Sequence, residues 1–304
     1  VPLRIAIPDL VSPSYFPAIA AVELGFFKDE GLDAIIELVY PVTRTYELLR
    51  AGEIAFVGGA AHAALYAFPD WHGCRLLAAL ARNMYWFLVV RSDLRARRGD
   101  LQVLKGLRIG AAPGPVDGLR GMLRAAGLDP DHEVAIGPVP AAAQPGMSFG
   151  VAAAAALAEG RIDGFWANGM AAELAVRSGT GTVVVDARRG DGPPGSTGYT
   201  FPALVATEER IARAPASAAG AARAIAAAQR ALRVDPSRAE TAAQKHFPPA
   251  ERALIAELVR RDAPFYDPAI SPDAVAAMNR FAHEMGILSR VVAYDEVVAR
   301  HDVK

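Results

Sequence analysis

The strongest constraint on this chain is that it carries the same pattern twice. Leu3-Arg4-Ile5-Ala6-Ile7-Pro8 is followed by a polar loop, an apolar helical stretch and Gly31-Leu32-Asp33. Leu107-Arg108-Ile109-Gly110-Ala111-Ala112-Pro113 is followed by a Gly/Pro loop, a helical stretch and Gly127-Leu128-Asp129. In each copy a short apolar run predicts a strand and proline or glycine breaks it. Apolar spacing of three and four then predicts a helix that glycine stops. In the first helix Ile19, Val22 and Phe26 share one face, Ser14 is the expected N-cap and Pro17 falls in the first turn. A second echo follows: Ala51-Gly52-Glu53-Ile54-Ala55-Phe56 leaves a helix that begins at Thr43 and enters a strand. Glu159-Gly160-Arg161-Ile162-Asp163-Gly164-Phe165 does the same after an alanine-rich helix from Val151. Each half therefore reads β-α-β-α-β.

Strands that alternate with helices of this length imply parallel sheets with right-handed crossovers. The expected fold class is α/β, with two three-layer α/β lobes joined by two hinge crossings. Strand-like runs at 75–81 and 85–90, and at 182–186 and 199–206 around a Gly/Pro-rich loop, are the candidate crossings. The expected division is residues 1–88 with 199–304 as a discontinuous first lobe, and 89–198 as the second. From Glu208 onward the pattern is helical, interrupted at prolines such as Pro215, Pro236 and Pro272, and too apolar to stand free. It is expected to pack on the first lobe.

At 304 residues and 52% hydrophobic, the chain can fill two cores and is not disordered. A net charge of −1 with scattered basic residues argues against nucleic acid or an anionic membrane as a partner. Cys74 is the one cysteine, which excludes an internal disulfide framework and any metal site built from several thiolates. A buried, inert thiol is its expected state. No metal or cofactor site is read. No apolar run approaches the ~20 residues that span a bilayer. With Val1 in place of Met and no leader pattern, the sequence is expected to be the mature form of an exported protein.

In open α/β sheets ligands bind beyond the carboxyl ends of the strands, where helix N-termini point free N–H groups outward. In the first lobe this rule selects Ser12, Ser14 and Tyr15, then Tyr40, then Gly58, Gly59 and His62, and finally Asn83 and Tyr85 on the crossing. In the second lobe it selects Pro113, Gly114, Val116 and Asp117, then Trp166 and Asn168. Aromatic faces, small residues and neutral hydrogen-bonding groups suit a small organic molecule held by rings and a few polar contacts, not a polyphosphate. Each residue also has a plainer reading. Tyr15, Tyr40 and Trp166 fit the edge of a core, and His62 fits a cap or a satisfied buried histidine. Asp117 fits the positive start of its helix, and Asn83 a solvated surface.

The run Tyr15-Phe16-Pro17-Ala18-Ile19-Ala20-Ala21-Val22-Glu23-Leu24-Gly25-Phe26-Phe27-Lys28-Asp29-Glu30-Gly31-Leu32-Asp33 resembles the opening signature of one family. These are the substrate-binding proteins of nitrate/sulfonate/taurine-type ABC importers, also called the thiamine-precursor (NMT1/THI5-like) group. The helix-Ala-Gly-Glu-Ile-strand-Gly-Gly step at 51–59 and Leu104-Lys105-Gly106-Leu107-Arg108-Ile109-Gly110 occur in the same order. The resemblance covers roughly residues 1–205. It implies a type II periplasmic binding-protein fold, a ligand in the interlobe cleft, hinge closure, and delivery to an ABC permease and its ATPase. A monomer in the periplasm, or tethered outside the membrane, is expected. Relatives that grip sulfonate or nitrate often place Gly, Ser or Thr at the second-lobe loop. Pro113-Gly114-Pro115-Val116 offers fewer donors, which shifts the expected ligand to an aromatic or heterocyclic molecule, carboxylate or thiamine-precursor-like.

An enzyme on the same fold is the alternative: a decarboxylase, a desulfinase or a pyrimidine synthase. The synthases use a cysteine-rich motif that this chain lacks. Where a desulfinase-like cysteine would stand there is Ser12-Pro13-Ser14, with His62 as the one candidate base. An effector domain of a transcription regulator is a third reading, weakened because no helix-turn-helix segment precedes Leu3. The chain is expected to bind without catalysis.

Overall fold

The computed structural model describes residues 1–139, 148–247 and 249–300. In chain order its elements are β1 (Leu3–Ile7), α1 (Phe16–Glu23), α2 (Phe26–Asp29), β2 (Ala34–Leu38), α3 (Val42–Arg50), β3 (Phe56–Ala60) and β4 (Cys74–Ala79). Next come β5 (Phe87–Arg91), β6 (Arg108–Ala111), α4 (Val116–Ala125), β7 (Ala135–Gly137), α5 (Phe149–Ala158), β8 (Gly164–Ala167), α6 (Gly169–Arg177) and β9 (Gly181–Asp186). The chain ends in β10 (Pro202–Thr207), α7 (Glu208–Arg213), α8 (Pro215–Val234), α9 (Arg238–Ala243), α10 (Pro249–Asp262), α11 (Pro272–Glu284) and α12 (Tyr294–Val297). It divides into two compact units, Val1–Arg82 with Thr200–Lys304 and Asn83–Tyr199.

Each unit holds one five-stranded sheet, ordered β2-β1-β3-β10-β4 in unit 1 and β7-β6-β8-β5-β9 in unit 2. The two orders are the same plan, with β1, β2 and β3 replaced by β6, β7 and β8. Within each repeat the pairing is parallel, from Leu3 opposite Ala34 to Ile7 opposite Leu38, and from Arg108 opposite Ala135 to Gly110 opposite Gly137. The sheets are not wholly parallel as expected. β10 runs antiparallel to β3 and β4, and β5 runs antiparallel to β8 and β9. These two strands lie outside the repeats and join each sheet without a crossover helix, so nothing forces them parallel.

The repeat reaches side-chain level. Arg4 donates from Nη1 to Glu53 O at 2.9 Å, and its counterpart Arg108 donates from Nη1 to Arg161 O at 2.9 Å. Each arginine thus ties the start of its first strand to the turn after the second helix. That turn needs a residue with left-handed backbone, supplied by Gly52 (φ 73°) and Gly160 (φ 68°). Backbone bonds match too, with Ala55 N donating to Arg4 O and Asp163 N to Arg108 O.

Two local expectations change. Tyr15, not Ser14, occupies the N-cap of α1 and makes no side-chain cap bond. Gly58 and Gly59 are not a loop but lie inside β3, where a Cβ on Gly58 would meet Ile7 at 3.1 Å and one on Gly59 would meet Val42 at 2.9 Å. The backbone there is pressed between α1 and α3, which is the packing that glycine permits. Pro215 and Pro272 begin α8 and α11 instead of only ending what precedes them.

In unit 1, α8 packs on α1, α2 and β4. Its buried Gln229 donates from Nε2 to Ala79 O (2.9 Å) and Leu80 O (2.8 Å), capping the end of β4. Among the described residues no helix is long and apolar enough to cross a membrane.

In unit 2, Arg108 holds Asp163 through two bonds, Nε to Oδ2 at 2.8 Å and Nη2 to Oδ1 at 3.0 Å. Those bonds pull the Asp163 carboxyl down to about 2. A depressed carboxyl stabilises the fold above its unfolded value of about 4 and loses that contribution as pH falls toward the folded value. We expect Asp163→Asn to cost about 1–2 kcal/mol at neutral pH and to lose its effect near pH 2, measured by urea unfolding. A variant equally stable at pH 7 would remove the pair from the fold's support.

Candidate functional site

Because β1, β2 and β3 run parallel, the loops that leave their carboxyl ends gather at one edge of unit 1. After β1, Asp9 is buried and turns the chain by accepting Val11 N on Oδ1 at 3.1 Å. Ser12, Ser14 and Tyr15 follow, all buried. In this loop the Ser12 Oγ is buried and has no hydrogen-bond partner among the described residues. The loop is fixed from far along the chain, because Tyr266 donates its hydroxyl to Pro13 O at 2.6 Å. After β2, Tyr40 precedes Pro41 through a cis peptide bond and is half-buried. Burial, with the Asp9 charge adding to it, pushes the Tyr40 phenol up to about 12.

His62 is packed into the interior of unit 1. It is fully buried, its Nδ1 is 2.9 Å from Thr200 Oγ1, and its ring meets Phe281 edge-on with centroids 6.4 Å apart. Its backbone N donates to the same hydroxyl at 3.3 Å. Tyr46 does similar work beside it, donating its hydroxyl to Ala60 O at 2.9 Å, while burial holds its phenol well above the usual range. Cys74 opens β4 buried, and burial pushes its thiol up to about 12. No thiolate forms there near neutral pH.

In unit 2 the corresponding edge carries the ends of β6 and β8 and the start of β5, because Phe87 pairs with Ala167. Here the structure brings several candidates together. Trp166 donates Nε1 to Pro115 O at 3.0 Å, and Tyr199 donates its hydroxyl to the same oxygen at 3.4 Å. Trp86 sits among the rings, 6.1 Å from Trp166, 6.0 Å from Tyr199 in a stacked pose and 4.4 Å from Tyr85. Trp166 and Tyr85 are buried, at 0% and 2% exposure, so they build a wall and show no open ring face. Around them Pro113 is exposed, Gly114 adopts φ +89°, and Val116 is half-buried at the start of α4. Asp117 is buried in the first turn of that helix, and Asn168 caps α6 by accepting Met170 N (3.0 Å) and Ala171 N (3.2 Å). Asn83 is exposed with φ 65° and reaches Arg188 O at 3.5 Å.

Sequence reading missed Asp9, Trp86, Arg188, Tyr199 and Tyr266. Buried Arg188 belongs to a charged turn after β9 in which Arg98 pairs with Asp191 at 2.6 Å and Arg189 with Asp186 at 3.3 Å. Burial raises the Asp186 carboxyl, against the pull of Arg189 and Arg98. One signal was available for Tyr199: Gly118 interrupts α4, and the Tyr199 ring fills its place so closely that a Cβ would lie 1.7 Å from it. Tyr266 had none, being 253 residues from Pro13. Among the described residues no group of three His, Cys, Asp or Glu side chains could hold a metal.

The family model described as NMT1/THI5 like matches residues 12–239. No curated protein sequence matches the chain. Among solved structures, the alkanesulfonate-binding protein of Xanthomonas axonopodis pv. citri bound to MOPS is similar at TM-score 0.73 and 16% identity, covering 97% of each chain. The periplasmic aliphatic sulphonate-binding protein of Escherichia coli is similar at TM-score 0.70 and 14% identity, covering 97% of this chain and 96% of that one. A mutant of DszB in complex with biphenyl-2-sulfinic acid is similar at TM-score 0.64 and 19% identity, covering 98% and 97%. These likenesses show the shared α/β fold.

The Gly118–Tyr199 contact is a direct test of how firmly the aromatic wall is built. Gly118→Ala is expected to destabilise unit 2 by about 1–3 kcal/mol through overpacking, read by chemical denaturation followed by tryptophan fluorescence. Unchanged stability would mean that Tyr199 yields without cost.

Proposed function

Because the chain belongs to the NMT1/THI5-like family, we propose that it is the solute-binding protein of an ABC importer. In this reading it captures a small organic ligand at the carboxyl-edge loops by hinge closure and hands it to a permease driven by an ATPase. It works outside the inner membrane, in the periplasm or tethered there. The observation that carries the reading is Ser12 Oγ, a buried hydroxyl without a partner among the described residues, on the loop where such a ligand arrives. An unsatisfied buried polar group costs about 1–3 kcal/mol, which a ligand acceptor or donor at that point relieves.

The ligand we propose is an aromatic or heterocyclic molecule with one acidic group, carboxylate or sulfur acid. Unit 1 supplies hydroxyls suited to an acid oxygen, those of Ser12 and Tyr40. Tyr40, Pro113 and Val116 supply the apolar surface that is accessible, whereas Trp166 is a supporting residue behind it. The MOPS of the alkanesulfonate-binding protein and the biphenyl-2-sulfinic acid of DszB both join a ring to a sulfur acid, in line with this class. A thiamine-precursor-like pyrimidine is its uncharged counterpart.

Binding without turnover is the favoured reading over an enzyme. The one thiol, Cys74, is buried and held protonated, and His62 Nδ1 is engaged by Thr200. Nucleophilic catalysis needs an activated nucleophile beside a free base.

Isothermal titration with benzenesulfonate, benzoate, MOPS, taurine and nitrate tests the ligand class. One ring-bearing acid should bind at one per chain, and Ser12→Ala should weaken it about fivefold, equivalent to ~1 kcal/mol, with the circular dichroism spectrum unchanged. Binding of nitrate or taurine alone would overturn the ligand class. Affinity unaltered by Ser12→Ala would take that hydroxyl out of the site.

A further inference from the structure

We infer that unit 1 carries a second small-molecule site, formed by one face of α11 and the segment that returns beside it to α12, and that this site takes an amphipathic organic monoanion. The inference does not depend on the function proposed above. The site is a cavity of about 540 Å³, within the 300–1,000 Å³ typical of small-molecule sites. Helix positions 275, 276, 279, 280 and 283 line one side, a spacing of three and four that places them on a single face. Leu288, Val291, Val292 and Tyr294 line the other.

The walls are preformed, because Asn279, Arg290 and Tyr294 among them are already engaged within unit 1. Asn279 accepts Trp71 Nε1 on Oδ1 at 3.0 Å and donates Nδ2 to Val292 O at 3.5 Å, joining the two walls. Tyr294 donates its hydroxyl to Ile270 O at 2.7 Å, and Arg290 pairs with Glu296 at 2.7 Å. The second wall is anchored again where Asp70 accepts Ser289 N at 2.9 Å and Ser289 Oγ at 2.6 Å. What faces the cavity is then largely hydrocarbon, from Val275, Leu288, Val292 and the ring of Tyr294. Val291 is 93% exposed at its rim.

Charge at the mouth fixes the rest of the ligand. Arg290 is neutralised by Glu296, which leaves exposed Arg280 as the arginine of the lining that has no ion pair to a described residue, with exposed His283 one turn on. Glu284 is the one acid of the lining, so a second negative charge on the ligand meets repulsion. An apolar body between the walls with one carboxylate or sulfonate at Arg280 matches the hydrocarbon of the walls and the unpaired guanidinium at the mouth.

The test is a methyl NMR titration of the full chain with 4-phenylbutanoate, 4-phenylbutan-1-ol and 4-phenylbutylammonium. The anion should produce saturable shifts at the methyls of Val275, Leu288, Val291 and Val292, with the alcohol binding at least threefold more weakly and the ammonium not at all. Arg280→Glu should weaken the anion at least fivefold. Ala276→Trp, at an exposed position on the cavity face of α11, should abolish the shifts while the methyl spectrum of both sheets stays in place. Equal binding of anion and ammonium would overturn the anion assignment. Absence of shifts at these methyls, or shifts at Val11 and Val42 instead, would overturn the site.

Discussion

Parallel strand pairing is the constraint on which the rest of this molecule depends. Two strands joined by a helix must run the same way, so β1, β2 and β3 all end at one edge of their sheet, and β6 and β8 do so in theirs. That edge is where backbone N–H groups and loop side chains become available, because the sheet's own ladder no longer uses them. The positions of Ser12, Tyr40 and the Pro113 to Asp117 turn are all consequences of where parallel strands stop.

Holding those loops falls to residues distant in sequence. Arg4 and Arg108 secure the opposite ends of the two repeats with the same bond to a turn carbonyl, which fixes where each second helix ends. The helical tail contributes twice to unit 1, through Gln229 on the end of β4 and Tyr266 on Pro13. In unit 2 a single carbonyl, Pro115 O, receives both Trp166 and Tyr199, so the turn after β6 is backed by two fully buried rings. A rigid backing of this kind keeps a small set of polar groups in place without a ligand present, which lowers the ordering cost of binding.

Much of this was legible in the sequence because repetition is visible at the level of single residues. The paired strand-loop-helix phrases gave the α/β class, and Gly52 and Gly160 marked turns that do adopt left-handed backbone. The direction of β5 and β10 was not legible, since an apolar strand carries no sign of its orientation and these two lie outside the repeat. Gly58 and Gly59 looked like a ligand loop because glycine permits close approach, but sequence does not say what approaches. Here it is Ile7 and Val42 of the core. His62 and Trp166 show the same limit, as a polar or aromatic residue at a strand end is equally at home against Thr200 or Pro115 O as against a ligand. Tyr266 could not be placed at all, because its bond to Pro13 closes a loop of 253 residues.

The central proposal is that the ligand is bound by the carboxyl-edge loops. Hydrogen–deuterium exchange with and without the tightest-binding ring acid tests it most directly. The account predicts simultaneous protection of the backbone at residues 9–15 and 39–42 in unit 1 and at 112–117 and 168–171 in unit 2. Protection confined to one unit, or found away from both edges, would contradict it.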